Sequence, residues 1–179
     1  MNIEKDERWA KQFGDFSEGL VMYLLGQLKN MSVALVDHVG ADIFAVNRKS
    51  NEQRYAISVK GRNIPSSESK SYNFSKYNID KLVETSNSFG MKPAIALVFV
   101  DEQEDTKKIR IFVFTLQDIL KLCDDDSIGF ANRTDEDGIR FRFTESQRTH
   151  HLTEIKKCKY IDYTELAFDY FKPEITFEK

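Results

Sequence analysis

Seven consecutive apolar residues, Ala94 to Val100, follow Pro93 and stop at Asp101. A short apolar run with no polar alternation reads as a strand buried on both faces. Such a strand needs a layer on either side of its sheet, so the chain is constrained to an α/β architecture, a mixed central sheet flanked by helices.

The neighbouring segments supply the other elements. Phe16, Leu20, Leu24 and Leu28 recur every four residues, widened by Val21 and Leu25. This predicts an amphipathic helix over 16–30 with Glu18 in its first turn. Three β-type runs follow, Val33 to Asp37, Asp42 to Asn47 and Arg54 to Lys60, and the second and third should form a hairpin. Asn63 to Lys70 is Ser-rich with one Pro and reads as loop. Ser75 is placed to cap a helix running to Phe89 with Ile79, Leu82, Val83 and Phe89 on its apolar face, and Gly90 is placed to end it. Beyond the apolar strand, Lys108 to Thr115 alternates like an outer strand. The remainder reads as a short helix near Leu116 to Leu122, a strand at Ile139 to Phe143, and a final helix around Thr164 to Phe171.

At 179 residues, one domain is the default. Cys123 and Cys158 lie far apart with no CxxC spacing, which argues against a disulfide framework or a structural zinc site and for ordinary reduced thiols. The first residues carry mixed charges and no apolar leader, and no apolar stretch is long enough for a membrane span, so a soluble cytoplasmic protein with no membrane partner is expected.

The net charge of -3 hides a strong asymmetry. Residues 48–81 hold eight bases against three acids, 8 - 3 = +5, whereas residues 101–137 hold five bases against eleven acids, 5 - 11 = -6. Local charge decides where an anion docks, so the basic segment is a candidate nucleic-acid surface, with Arg48, Lys49, Arg62, Lys70 and Lys76 as its candidate contacts. Oppositely charged solvated faces are the plainer alternative.

The candidate chemistry lies in the hairpin. With the turn centred near Asn51, paired residues sum to about 102, which sets Asp42 opposite Lys60 and Phe44 opposite Ser58. Asp42, Ser58 and Lys60 then project together from one end. A lone Asp and Lys beside Ala56, Ile57 and Val59 carry a desolvation cost unless they pair or bind an ion. A carboxylate, a backbone carbonyl and a lysine suit phosphodiester hydrolysis: the carboxylate holds Mg²⁺, the metal supplies hydroxide, and the lysine orients water or stabilises the pentacovalent state.

The order of these residues is similar to a known pattern. Gly14-x-x-x-Glu18 on a helix, Gly40-Ala41-Asp42-Ile43 and Ile57-Ser58-Val59-Lys60 on strands, then Ser88-Phe89-Gly90 before Pro93-Ala94-Ile95-Ala96-Leu97, resembles the PD-(D/E)XK nucleases, nearest to the archaeal Holliday junction resolvases. The resemblance spans residues 14–115 and leaves 116–179 as a C-terminal extension. It implies a restriction-endonuclease-like fold, Mg²⁺- or Mn²⁺-dependent cleavage of DNA, with junctions or branched duplexes as the substrate class, and a homodimer. By the same resemblance Asp42 is the main metal ligand, Glu18 the helix carboxylate that supports the metal, and Lys60 the catalytic lysine. The chain departs from the family at Ser58, where Glu or Asp is normal. A hydroxyl is a neutral, poorer ligand for a hard cation, so the alternative is a catalytically degenerate nuclease fold acting as a nucleic-acid-binding or assembly module.

Each residue also has a plainer role. Asp42 can close a turn after Gly40-Ala41, Lys60 can snorkel from a strand end, and Glu18 can answer the helix dipole. Asp37, like Glu18, is an acid placed to compensate for the ligand missing at Ser58. Tyr72, Phe74 and Tyr77 can stack on bases, with core or rim packing expected for at least two. His150 and His151, read as strand neighbours, should point to opposite faces and stay at the surface. Asp124 to Asp126 reads as a solvated turn, lacking the spacing of a calcium loop.

Overall fold

The computed structural model describes residues 8–64, 70–102, 106–125, 129–143, 148–159 and 161–169. Its centre is a six-stranded sheet made of β1 (Met31–His38), β2 (Ala41–Asn47), β3 (Arg54–Ile64), β5 (Lys92–Glu102), β6 (Thr106–Thr115) and β9 (Asp162–Asp169), in the order β1-β2-β3-β5-β6-β9. The β3–β5 pair is parallel and the other pairs are antiparallel, which makes the sheet mixed. A second, antiparallel sheet of β4 (Lys70–Phe74), β8 (Ile139–Phe143) and β7 (Ala131–Arg133) has the order β4-β8-β7. The expected α/β class, a mixed sheet flanked by helices, is therefore the observed one. Among the described residues, no helix is long and apolar enough to cross a membrane.

The apolar run at the centre behaves as its composition requires. Ala94 to Phe99 are all buried, with alternate side chains feeding two different cores. Ala94, Ala96 and Val98 meet Val21 of α1 (Trp9–Gly26), together with Ile43, Ile57 and Val59. Ile95, Leu97 and Phe99 meet the opposite layer, built from α2 (Lys76–Ser88), α3 (Leu116–Asp125) and the second sheet.

Helix α1 begins seven residues before the expected start and ends at Gly26. Its buried face is also rotated. Ser17 and Val21 are its buried residues, whereas Phe16 and Leu28 are exposed. The cause is a close approach to β3: a Cβ on Gly61 would collide with Ser17 Oγ and stand 2.8 Å from the Phe13 ring. Ser17 is accommodated because its hydroxyl donates to the Phe13 carbonyl at 2.7 Å. Glu18 consequently lies in mid-helix and not in the first turn.

Helix α2 follows its sequence closely. The Ser75 side chain accepts from the Asn78 N–H at 3.3 Å, and Gly90 takes φ +60 just past the C-cap. The helix seats on the β1–β2 turn, where Gly40 at φ +99 lets the chain pass against the Lys81 backbone carbonyl. Buried Thr85 donates to the Val39 carbonyl at 2.6 Å and secures the same contact.

The C-terminal part corrects several expectations. Residues 162–169 form a strand, β9, and not a helix; it pairs with β6, so β6 is an interior strand and not an outer one. The pairing satisfies a row of β6 backbone groups that would otherwise be unpaired, a long-range gain that outweighs local propensity. His150 and His151 belong to a helix, α4 (Arg148–Lys157), and not to a strand; their side chains fall outside the described residues. Lys70, expected at the end of a loop, opens β4. Asp124 lies in the last turn of α3 in an ion pair with Arg133 at 2.9 Å, and Asp126 lies outside the described residues.

Candidate active site

The β2–β3 hairpin is offset from its expected register. Ile43 pairs with Ile57 and Val46 with Arg54, so partners sum to 100 and not 102. The turn spans Asn47 to Gln53, where the Asn47 N–H donates to the Gln53 carbonyl and Asn47 Oδ1 accepts from the Lys49 N–H. The slip is two residues, which keeps every side chain on its expected face. Phe44 therefore faces Ala56 in place of Ser58. Continued by one step, the register sets Asp42 beside Ser58, with Lys60 diagonally beyond.

The side chains meet there. Asp42 Oδ2 accepts from the Val59 N–H at 2.6 Å and from the Ser58 hydroxyl at 3.3 Å, and Lys60 Nζ stands 3.6 Å away. Among the described residues no hydrogen bond reaches Asp42 Oδ1. Ser58 is 3% exposed, whereas the Asp42 and Lys60 side chains stay about a quarter open to solvent. β3 runs on past this point: Lys60 to Ile64 pair with β5 on one side, and among the described residues no strand pairs with them on the other. The result is a notch at the splayed end of the hairpin, with Asp42 and Lys60 at its mouth.

Helix α1 brings the third group. The contact of Ser17 with Gly61 seats the helix one residue beyond Lys60, and Glu18, the next residue along it, lies within electrostatic reach of Asp42 and Lys60. The Glu18 carboxyl is held above its usual value, first by partial burial and then by the negative charges of Asp42, Asp15 and Asp37, with Lys60 opposing. Asp15 and Asp37 were not among the primary site residues read from sequence; the extended α1 and the β1–β2 pairing bring them within electrostatic reach.

Whether these groups suit a divalent cation is a matter of donor set. Among the described residues, no three His, Cys, Asp or Glu side chains are gathered closely enough to hold a metal between them. Two carboxylates are present, Asp42 with an oxygen that no hydrogen bond among the described residues reaches, and Glu18 destabilised first by partial burial and then by its negative neighbours. A Mg²⁺-type ion is commonly held by one or two carboxylates and completed by water and substrate phosphate. The residues fit an ion of that kind.

The basic candidates separate. Arg48 and Lys49 sit in the hairpin turn, six residues along β2 from Asp42, which is about 20 Å at strand rise. Lys76 is exposed and paired with Asp80 at 2.6 Å. The Lys70 side chain falls outside the described residues. Of the four candidates whose side chains are described, Arg62 alone stands by the notch, two residues beyond Lys60 on the same face of β3. Its guanidinium carbon lies 4.3 Å over the Tyr72 ring. Tyr72 and Phe74 are buried core residues, and only Tyr77, 66% exposed, keeps the ring face that base stacking would need.

In structure the chain is similar to Hjc, a Holliday junction resolvase from the archaeal hyperthermophile Archaeoglobus fulgidus, with a TM-score of 0.47 and 18% identity over 76% of this chain and 87% of that one. No family model matches the sequence, and no curated protein matches it.

Proposed function

We propose that this chain is a restriction-endonuclease-like, metal-dependent DNA endonuclease whose site is the Asp42–Lys60–Glu18 notch, with branched or junction DNA as its substrate class. The observation that carries the reading is the convergence of Val59 N–H, Ser58 Oγ and Lys60 on Asp42 Oδ2 at an open strand end, with a second carboxylate arriving from α1. The Val59 N–H and the Ser58 hydroxyl fix the Asp42 carboxylate without neutralising it. Asp42 and Glu18 would hold Mg²⁺ or Mn²⁺. Such an ion lowers the pKa of bound water and offsets charge on the phosphate. Lys60, already leaning into the notch, supplies a cation for the charge that develops on the phosphorus oxygens and orients the attacking water. A homodimer would present two such notches to a branched substrate.

A second reading is favoured by Ser58 itself. Its hydroxyl already serves as a donor to Asp42, and the site holds one negative charge fewer than a two-acid strand motif, so a non-catalytic nucleic-acid-binding module is the alternative. Cleavage assays with Mg²⁺ or Mn²⁺ on a four-way junction and a plain duplex separate the two. The nuclease reading expects metal-dependent cleavage that Asp42→Ala and Lys60→Ala abolish. Intact DNA with salt-sensitive binding supports the second reading, and neither cleavage nor binding removes both.

A further inference from the structure

The small sheet has no part in the notch chemistry, yet it touches the strand that carries it. Tyr72 of β4 is buried, its ring lying parallel to that of Phe141 of β8 at 6.4 Å between centroids. Its other partner is Arg62, whose guanidinium carbon lies 4.3 Å over the ring and whose Nη1 donates to the Gly61 carbonyl at 2.7 Å. These two contacts hold a long, exposed side chain in one place. Arg62 has four guanidinium N–H groups beyond the one given to Gly61, in a planar fork that suits phosphate oxygens.

Position decides what the fork would meet. Lys60 and Arg62 are residues i and i+2 on one strand, on one face, and so stand about 6.6 Å apart along it. That separation is close to the step between successive phosphates on one nucleic-acid strand. Lys60 Nζ stands 3.6 Å from Asp42 Oδ2, whereas the Arg62 guanidinium rests over the Tyr72 ring. The Tyr72 hydroxyl is held above its usual pKa by burial, with the Arg62 charge pulling against that shift and Asp42 adding to it, so Tyr72 lies within electrostatic reach of both.

We propose that Arg62 binds the phosphate next to the one at Lys60, on the same strand, and that Tyr72 is a positioning residue that presents it. The small sheet is then a platform that orders an arginine before the ligand arrives. Because the fork reads phosphate and not base edges, the contact is independent of sequence. This rests on the nucleic-acid reading above but needs neither a metal nor cleavage.

The test is equilibrium binding of a fluorescently labelled DNA duplex in EDTA across a salt series. Arg62→Ala should weaken binding by about tenfold at low salt and lower the salt-dependence exponent by about 0.9, the value for one phosphate contact on duplex. Arg62→Lys should keep the exponent and lose part of the affinity. Tyr72→Phe preserves the ring face and should bind as the wild type does, whereas Tyr72→Leu should weaken binding by about three- to fivefold with the exponent unchanged. If Tyr72→Leu fails to fold, the exposed Arg62 pair still decides the matter. A wild type that binds while Arg62→Ala binds equally well, with the same exponent, overturns this proposal alone. A wild type that binds no DNA even at low salt overturns the nucleic-acid reading and this proposal with it.

Discussion

Replacing Ser58 by glutamate probes the electrostatics of the notch directly. Ser58 is 3% exposed and its hydroxyl lies 3.3 Å from Asp42 Oδ2, so a carboxylate introduced there stands beside an existing one with little water between. Two unit charges about 4 Å apart repel by about 4 kcal/mol at an effective dielectric of about 20. Lys60, 3.6 Å from Asp42, offsets part of this, which leaves a net cost of about 2 to 4 kcal/mol without a cation. For a chain of this size each kcal/mol moves the melting point by about 2 to 4 °C, so Ser58→Glu should melt about 5 to 15 °C below the wild type in EDTA near neutral pH. Mn²⁺ should restore most of that loss. Cleavage of junction DNA should rise with metal. Thermal unfolding by circular dichroism, with EDTA or Mn²⁺, reads all the stability arms. A variant that melts with the wild type in EDTA would refute the juxtaposition of Ser58 and Asp42. A variant destabilised in EDTA but untouched by Mn²⁺ would keep the geometry and refute the cation site.

Two further outcomes follow from α1. Gly61→Ala forces the helix off β3, because the added methyl meets Ser17 Oγ and the Phe13 ring; chemical denaturation should show a loss of about 1 to 3 kcal/mol, with Mn²⁺ affinity falling as Glu18 withdraws. Glu18 has a folded pKa raised above its ordinary 4.5, so the folded state binds the proton more tightly and its contribution is lost as pH rises through the folded value. Glu18→Gln should therefore be more stable than the wild type in EDTA above that pH and equal to it below 4.5, as read from denaturation midpoints against pH.

The parts of the fold that local pattern determines were open to reading. The Ala94 to Phe99 run could only be a covered strand, and Ser75 and Gly90 bracket α2 as capping chemistry demands. The hairpin was legible but its register was not, because the Asn47 side chain closes the turn by bonding the Lys49 N–H, a detail no periodicity encodes. The face of α1 was misread for a similar reason. Ser17 is its most buried residue but counts as polar in any pattern, and it is buried because Gly61, distant in sequence, has no side chain. β4 and β9 are made by partners far along the chain, β8 and β6, and five or eight residues carry too little alternation to announce them. At the site, Asp42, Ser58 and Lys60 could be grouped from sequence because they share one hairpin, whereas Glu18 entered only through the family resemblance. Excess positive charge in residues 48–81 did not translate into one surface, since the hairpin carries Arg48 and Lys49 to its far end.

Divalent-metal binding to the free protein is the most direct test of the central claim. In a calorimetric titration with Mn²⁺, the wild type should bind at one site that weakens above all when Asp42→Asn removes the charge but keeps the shape, and to a lesser degree in Glu18→Gln. Identical heats for wild type and Asp42→Asn, with both folded, would contradict a cation site at the notch.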